Sequence, residues 1–167
     1  YNLPGVGVAY KLIQALFERM GHSTGAEEHL DLVALGIVAD LALQIGDVRY
    51  LLQRGLEELR QPKRLGLQQL MELAEIEPAG VTEEHIGFEL APRLTAVGRL
   101  GDANLAVELL TTADKGRARI LATRLEGLNA ERKLISNQVF QAALAQIDDE
   151  PALLQEAALV LSHPAWP

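Results

Sequence analysis

Cysteine is absent from the sequence, and aromatic residues supply only 4% of it. Without cysteine there is no disulfide framework and no thiolate zinc site, and a reducing, cytoplasmic setting is the expectation. No apolar run approaches the roughly 20 residues that a membrane-spanning helix needs, and no basic-then-apolar pattern marks a signal peptide. The chain reads as soluble, with no membrane partner. Positive charge is also in short supply. Lys and Arg number 15 against 23 Asp and Glu, a formal net charge of −8, which argues against attraction to nucleic acid over the whole surface, because phosphate binding rests on Lys and Arg. Self-sufficient reaction chemistry is missing too: there is no His-x-x-x-His, Asp-x-Asp or Glu-x-x-His pair for a metal, no Gly-x-Ser-x-Gly elbow and no P-loop.

What is present favours packed helices. Hydrophobic residues fill 49% of the 167 positions, Leu and Ala are abundant and β-branched runs are few, a balance that suits helices better than sheets. The length is enough for one sizeable core. Val6, Ala9, Ile13, Leu16 and Met20 recur at helical spacing between Pro4-Gly5 and Gly21, which predicts a first helix over Val6 to Met20. Past the polar hinge His22-Ser23-Thr24-Gly25, a second begins near Ala26 and runs through Leu43, so apolar that burial on most sides follows. Asp47 caps a third, Val48 to Leu59, which stops before Pro62, and Leu67 to Ala74 makes a fourth. Thr82, followed by Glu83, Glu84 and His85, starts another helix whose interior contains Pro92. That proline should interrupt it, so that Ala91 to Arg99 leaves at an angle. Asp102 opens a short helix to Leu110.

Thr112 or Asp114 then caps the longest periodic segment. Leu121, Leu125, Leu128, Arg132, Ile135, Val139 and Ala142 alternate at spacings of four and three, a heptad-like stripe interrupted by Arg132. It reads as a long connecting helix, residues 113–150, packed on its own protein. From Asp114 to Lys133 six basic residues face three acidic ones, either a solvated face laced with ion pairs or a basic strip on an acidic protein. After Pro151 the run Ala157 to Leu161 reads as a buried strand, which needs a sheet to pair with. The sequence opens on Tyr1 without an initiator Met and closes on Trp166-Pro167, so both ends read as cuts in a longer protein.

Asp40 is the most suggestive residue for chemistry. Flanked by Ala39 and Leu41, it shares a helical face with Val33, Gly36 and Ile37. A carboxylate in such surroundings must be paired, protonated or bound to a cation, and its oxygens suit magnesium or manganese. The plainer alternative is an aspartate at an exposed helix edge or one paired with an arginine. Asp31 lies on the opposite side of the same helix, while His22, His29 and His85 stand elsewhere, so no ligand partner is evident. Gly5 and Gly7 are similar to the hairpin glycines of helix-hairpin-helix DNA-binding modules, whose amides approach a phosphate, although such a module needs a helix before them.

Three patterns in one order carry a wider resemblance: Leu30-Asp31-Leu32-Val33-Ala34-Leu35-Gly36-Ile37-Val38-Ala39-Asp40, then Ala91-Pro92-Arg93-Leu94-Thr95-Ala96-Val97-Gly98-Arg99-Leu100, then His163-Pro164-Ala165-Trp166. Asn2 to Leu12, Arg49-Tyr50-Leu51 with Arg54-Gly55-Leu56, and Leu125 to Lys133 extend it to nearly the whole chain. Together they resemble the RecJ-type single-strand-specific DNA exonucleases of the DHH phosphoesterase family. The resemblance implies a nuclease that removes nucleotides from a 5′ end with metal-activated water, using Mn2+ or Mg2+.

On that resemblance the fold class is mostly α. Residues 1–112 would be the helical rear of an α/β DHH catalytic domain, 113–150 a connecting helix, and 156–167 the first strand of a truncated second domain. Asp40 matches the last metal-binding aspartate of the set, while the Asp-x-Asp and Asp-His-His motifs would lie upstream of Tyr1. Arg93 and Arg99 match two arginines that could engage DNA phosphate, as guanidinium forks suit phosphate oxygens. Thr95 stands where the family has Asn. Single-stranded DNA is the implied partner, and the chain alone is expected to be inactive and to bind no metal. The competing possibility is a non-catalytic helical module that binds a partner helix along the Leu121 to Ala142 stripe.

Overall fold

The computed structural model describes residues 3–22 and 25–166. Ser23 and Thr24 of the hinge, Asn2 at the start of the resemblance, and the terminal Pro167 lie outside them. Helix α1 spans Gly5–Arg19, and after a 3-10 turn at Ala26–His29, α2 spans Leu30–Ala39. Next come α3 at Gly46–Leu59 and α4 at Leu65–Leu73. The short α5, Glu83–His85, widens into a π-helical turn over Ile86–Leu90 and re-forms as α6, Ala91–Leu100. Helix α7 covers Asn104–Thr111, and α8 runs unbroken over Lys115–Asp149.

Helix α2 lies at the centre, with Val33, Ala34 and Ile37 almost fully buried. It can approach α3 closely because of Gly55. A Cβ there would sit 2.3 Å from the Leu30 carbonyl oxygen and 2.6 Å from Ala34 Cβ. Helix α1 presses Val6 onto Gly36 of α2 in the same manner. The core is completed from α4, α7 and the first half of α8, where Ala118, Leu121, Ala122 and Leu125 are buried. The heptad-like stripe therefore divides. Its first half belongs to the core, whereas Ile135, Val139 and Ala142 line an apolar groove faced by His163, Ala165 and Trp166.

Most predicted helices form within a few residues of their expected limits, and Asp114 is the cap of α8, accepting from the Arg117 amide at 2.8 Å. Pro92 interrupts its helix as expected. It has no N–H to donate and crowds the turn before it, and the widened π turn at Ile86–Leu90 absorbs the mismatch.

Three expectations change. The second helix ends at Ala39 rather than Leu43. Leu41 adopts φ 51°, and the Leu41 and Ala42 amides donate back to the Val38 and Ile37 carbonyls, both at 3.1 Å. These are the two bonds of a Schellman stop, made here with leucine in the place glycine usually takes. In α1, Ala9, Leu16 and Met20 are exposed, and the buried contacts come from Gly7 and Tyr10. Finally, no strand forms among the described residues: Ala157 and Ala158 bend, and Leu159 to Ser162 is irregular. A strand's backbone needs a neighbour to satisfy it, and the described residues offer none.

Candidate functional site

Asp40 is the C-cap of α2 and is exposed. Of the two plainer alternatives it follows the exposed-edge one, and among the described residues it enters no ion pair. The Schellman bonds satisfy the Ile37 and Val38 carbonyls, so what the helix end offers a cation beside the carboxylate is the negative pole of the helix dipole. Donors for a complete metal centre do not gather, however: among the described residues no three His, Cys, Asp or Glu side chains stand together. Asp40 can supply one oxygen ligand to a cation.

At the end of α2 opens a cleft of about 570 Å³, lined by the neighbours of Asp40 on either side though not by Asp40 itself. Ala39 and Leu41 line one edge, Phe88, Pro92, Thr95 and Arg99 another, and Arg132 of α8 a third, with Glu83 and Glu84 at the α5 end. The π turn and Pro92 belong to this wall, and α6 places Thr95 and Arg99 on the same cleft as the end of α2. Thr95 itself donates to the Ala91 carbonyl at 2.9 Å, so its hydroxyl is used within the helix.

The two arginines singled out in the sequence part company. Arg99 is exposed on the cleft and has no carboxylate partner among the described residues. Arg93 is 6% exposed and lies between Glu89 and Glu126. Its Nη1 donates to the Glu89 carboxylate and carbonyl oxygens, each at 2.7 Å, while Nε meets Glu126 of α8. Burial opposes the charge, but the hydrogen bonds to Glu89 and Glu126 outweigh it and hold the guanidinium above its ordinary pKa. Arg93 ties α6 to α8. Of the six basic residues in the strip, Arg117 is likewise ion-paired, in two bonds with Glu108.

Sequence reasoning passed over Arg132 as a mere break in an apolar stripe. Its Nε and Nη2 donate to Asn129 Oδ1 at 3.3 and 3.1 Å. Asn129 is fully buried, and its Nδ2 has no partner. A buried amide left so costs roughly 1–3 kcal/mol. Turning the amide over would aim its own N–H groups at the guanidinium, so the orientation is dictated by Arg132. A charged residue at a heptad position was the available signal.

Also missed was Asp31, which is buried and paired with Arg64 Nε at 2.7 Å. The Arg64 guanidinium also reaches His29 Nδ1 at 2.9 Å and the Leu110 carbonyl at 3.2 Å. One side chain thus joins the start of α2 to α4 and α7. The glycines of α1 do not make a hairpin: among the described residues no helix precedes Gly5, and Gly7 gives room to the Leu3 side chain.

No family model matches the chain. It is 38% identical over 165 residues to the single-stranded-DNA-specific exonuclease RecJ of Bacillus subtilis, an alignment that takes in 99% of this chain and 20% of that protein. The crystal structure of RecJ in complex with Mn2+ from Thermus thermophilus matches with a TM-score of 0.81 at 34% identity, over 89% of this chain and 22% of that one. The Mg2+ complex from the same organism gives 0.78 at 32% identity, over 94% of this chain and 23% of that one. The chain spans between 20% and 31% of the length of the first curated relatives it matches. In sequence and in fold alike, it is RecJ-like along nearly its whole length.

Proposed function

We propose that this chain is the helical part of a single-stranded-DNA-specific exonuclease of the RecJ kind, lining the catalytic cleft without completing it. Residues 1–112 form the rear of the DHH catalytic domain, α8 within 113–150 is the connector, and 156–167 lead into a second domain. The observation that carries this reading is the placement of Asp40 at the exposed end of α2, between Ala39 and Leu41, two residues that line the cleft presenting Arg99. A carboxylate for a cation and a guanidinium for a phosphate are the two charges that phosphodiester hydrolysis needs side by side. Asp40 contributes one ligand to a Mn2+ or Mg2+ site whose other ligands come from outside this chain, and Arg99 holds backbone phosphate. Of the two arginines, only Arg99 has the exposure for that task. Arg93 positions α6 so that Arg99 reaches the cleft. The RecJ relatives bound to Mn2+ and Mg2+ support the choice of metals, and among the described residues no helix is long and apolar enough to cross a membrane.

The test is release of nucleotides from a 5′-labelled single strand. The 167-residue chain alone, supplied with Mn2+ or Mg2+, is expected to release none; degradation by a preparation free of other nucleases overturns the incomplete-site reading. In a longer RecJ-like polypeptide that carries this segment, Asp40→Ala should abolish release while leaving the thermal unfolding midpoint in place, and unchanged activity would remove Asp40 from the site.

A further inference from the structure

We infer that Arg132, held in place by Asn129, is a second phosphate-binding residue of the cleft, and that with Arg99 it forms an anion site for the phosphodiester backbone of a single strand. The inference deepens the reading above and rests on it for the class of ligand. Three observations support it independently of any relative. Of the eleven arginines, Arg54, Arg64, Arg93 and Arg117 are paired with carboxylates, and of those not so paired among the described residues two line the cleft. Arg99 and Arg132 share one cleft with Glu83 and Glu84, yet neither is paired with a carboxylate among the described residues. Secondly, Arg132 is not loose. Asn129 Oδ1 takes the edge formed by Nε and Nη2, which leaves Nη1 without an acceptor among the described residues and fixes the plane of the fork. Thirdly, the fold tolerates an orphaned, fully buried Asn129 Nδ2 to keep that arrangement, where an apolar side chain would have packed without penalty.

Such a preformed fork, anchored on one edge, suits a phosphate oxygen pair better than a mobile ammonium would. Arg99 from α6 and Arg132 from α8 approach from two different helices, so a strand lying in the cleft would be gripped across the gap between them. Exposed Phe88 lies on the same wall and offers a face for a base.

The test is binding of a short 5′-phosphorylated oligothymidylate to the 167-residue chain, followed by fluorescence anisotropy over a range of salt concentrations. Inorganic phosphate serves as a second probe, read by its competition and by chemical-shift changes at Arg132. Arg132→Ala is expected to weaken binding about tenfold and to lower the salt slope by about one ion. Arg132→Lys should restore the slope but not the affinity, because lysine keeps the charge and loses the fork. Asn129→Ala should weaken binding with the slope unchanged, which marks it as a positioning residue. Arg124→Ala, an exposed arginine of α8 outside the cleft, should change neither. Oligonucleotide binding that Arg132→Ala and Arg132→Lys both leave untouched overturns the role of Arg132 while sparing the single-strand reading. No saturable binding of either probe by the unaltered chain overturns the anion site. Phosphate binding that needs Arg132, with no oligonucleotide binding, keeps the site and removes the single strand as its ligand.

Discussion

Asp31 and Arg64, separated by 33 positions, meet at 2.7 Å in an ion pair whose side chains are only 6% and 20% exposed. Neither is near the cleft, yet the pair fixes where α2 begins and so how its far end, with Asp40, is aimed. Removing Asp31 leaves the largely shielded Arg64 guanidinium without its counter-charge. Asp31→Asn is expected to lower the unfolding free energy by about 3 kcal/mol, read as a shift of the urea midpoint with the slope m unchanged. Asp31→Leu combined with Arg64→Met should lose less than the two single changes added together.

Leu41 is 91% exposed, so its side chain contributes almost nothing to burial, while its φ of 51° strains any residue with a Cβ. Leu41→Gly should raise stability by up to about 1 kcal/mol. A fall in thermal midpoint would show that the stop at Asp40 is held by more than backbone geometry.

Two glycines should respond with opposite signs to the same change. Gly55→Ala forces a methyl group against the Leu30 carbonyl and Ala34 and is expected to cost about 2–3 kcal/mol. Gly127→Ala, in the middle of α8 with nothing within 4 Å, should gain about 0.5–1 kcal/mol from helix propensity alone. Chemical denaturation of both variants separates close packing from backbone entropy.

The two cleft-associated arginines also separate by stability. Arg93→Ala leaves Glu89 and Glu126 facing each other without a cation and should destabilise by about 3 kcal/mol. Arg99→Ala, exposed and without a carboxylate partner, should move stability by no more than about 0.5 kcal/mol. Equal losses would mean that Arg99 has a structural bond absent from the arrangement described.

Arg117 holds the Glu108 carboxyl below its ordinary value of 4.5. A carboxyl lowered on folding adds stability that is fully present above that value and is lost as pH falls through the folded one. The thermal midpoint of Glu108→Gln should therefore lie below that of the unaltered chain at neutral pH, and the gap should close as the pH drops below 4.5.

Periodicity and capping make most of this architecture legible in the amino-acid order alone. Asp114 and Pro92 mark their boundaries through local chemistry, a side-chain acceptor in one case and a missing donor in the other. The end of α2 is hidden because its stop uses a left-handed leucine, whereas the pattern that signals such a stop is glycine. That single boundary moves Asp40 from an assumed interior to the surface. The long-range pairs of Arg64 and Arg93 are equally hidden, since nothing in the spacing of residues reports which carboxylate lies 33 positions away in sequence and adjacent in space. Arg132 is visible as a charge in an apolar stripe, but its grip on Asn129 and its place in the cleft depend on how α8 lies against α6.

Helix α8 is embedded only through Asn129, and from residue 130 to 149 none of its residues is buried. Over 35 residues it spans about 50 Å, and along such a rod compass bearing is set by residue count. Deleting one residue between Val139 and Asp149 would swing everything beyond it through about 100°, carrying the Trp166 turn away from Ile135 and Val139, though the length would shrink by only about 1.5 Å. Deleting a full heptad would bring the bearing back to within about 20° while drawing the far end in by about 10 Å. The unburied half thus encodes direction more tightly than distance.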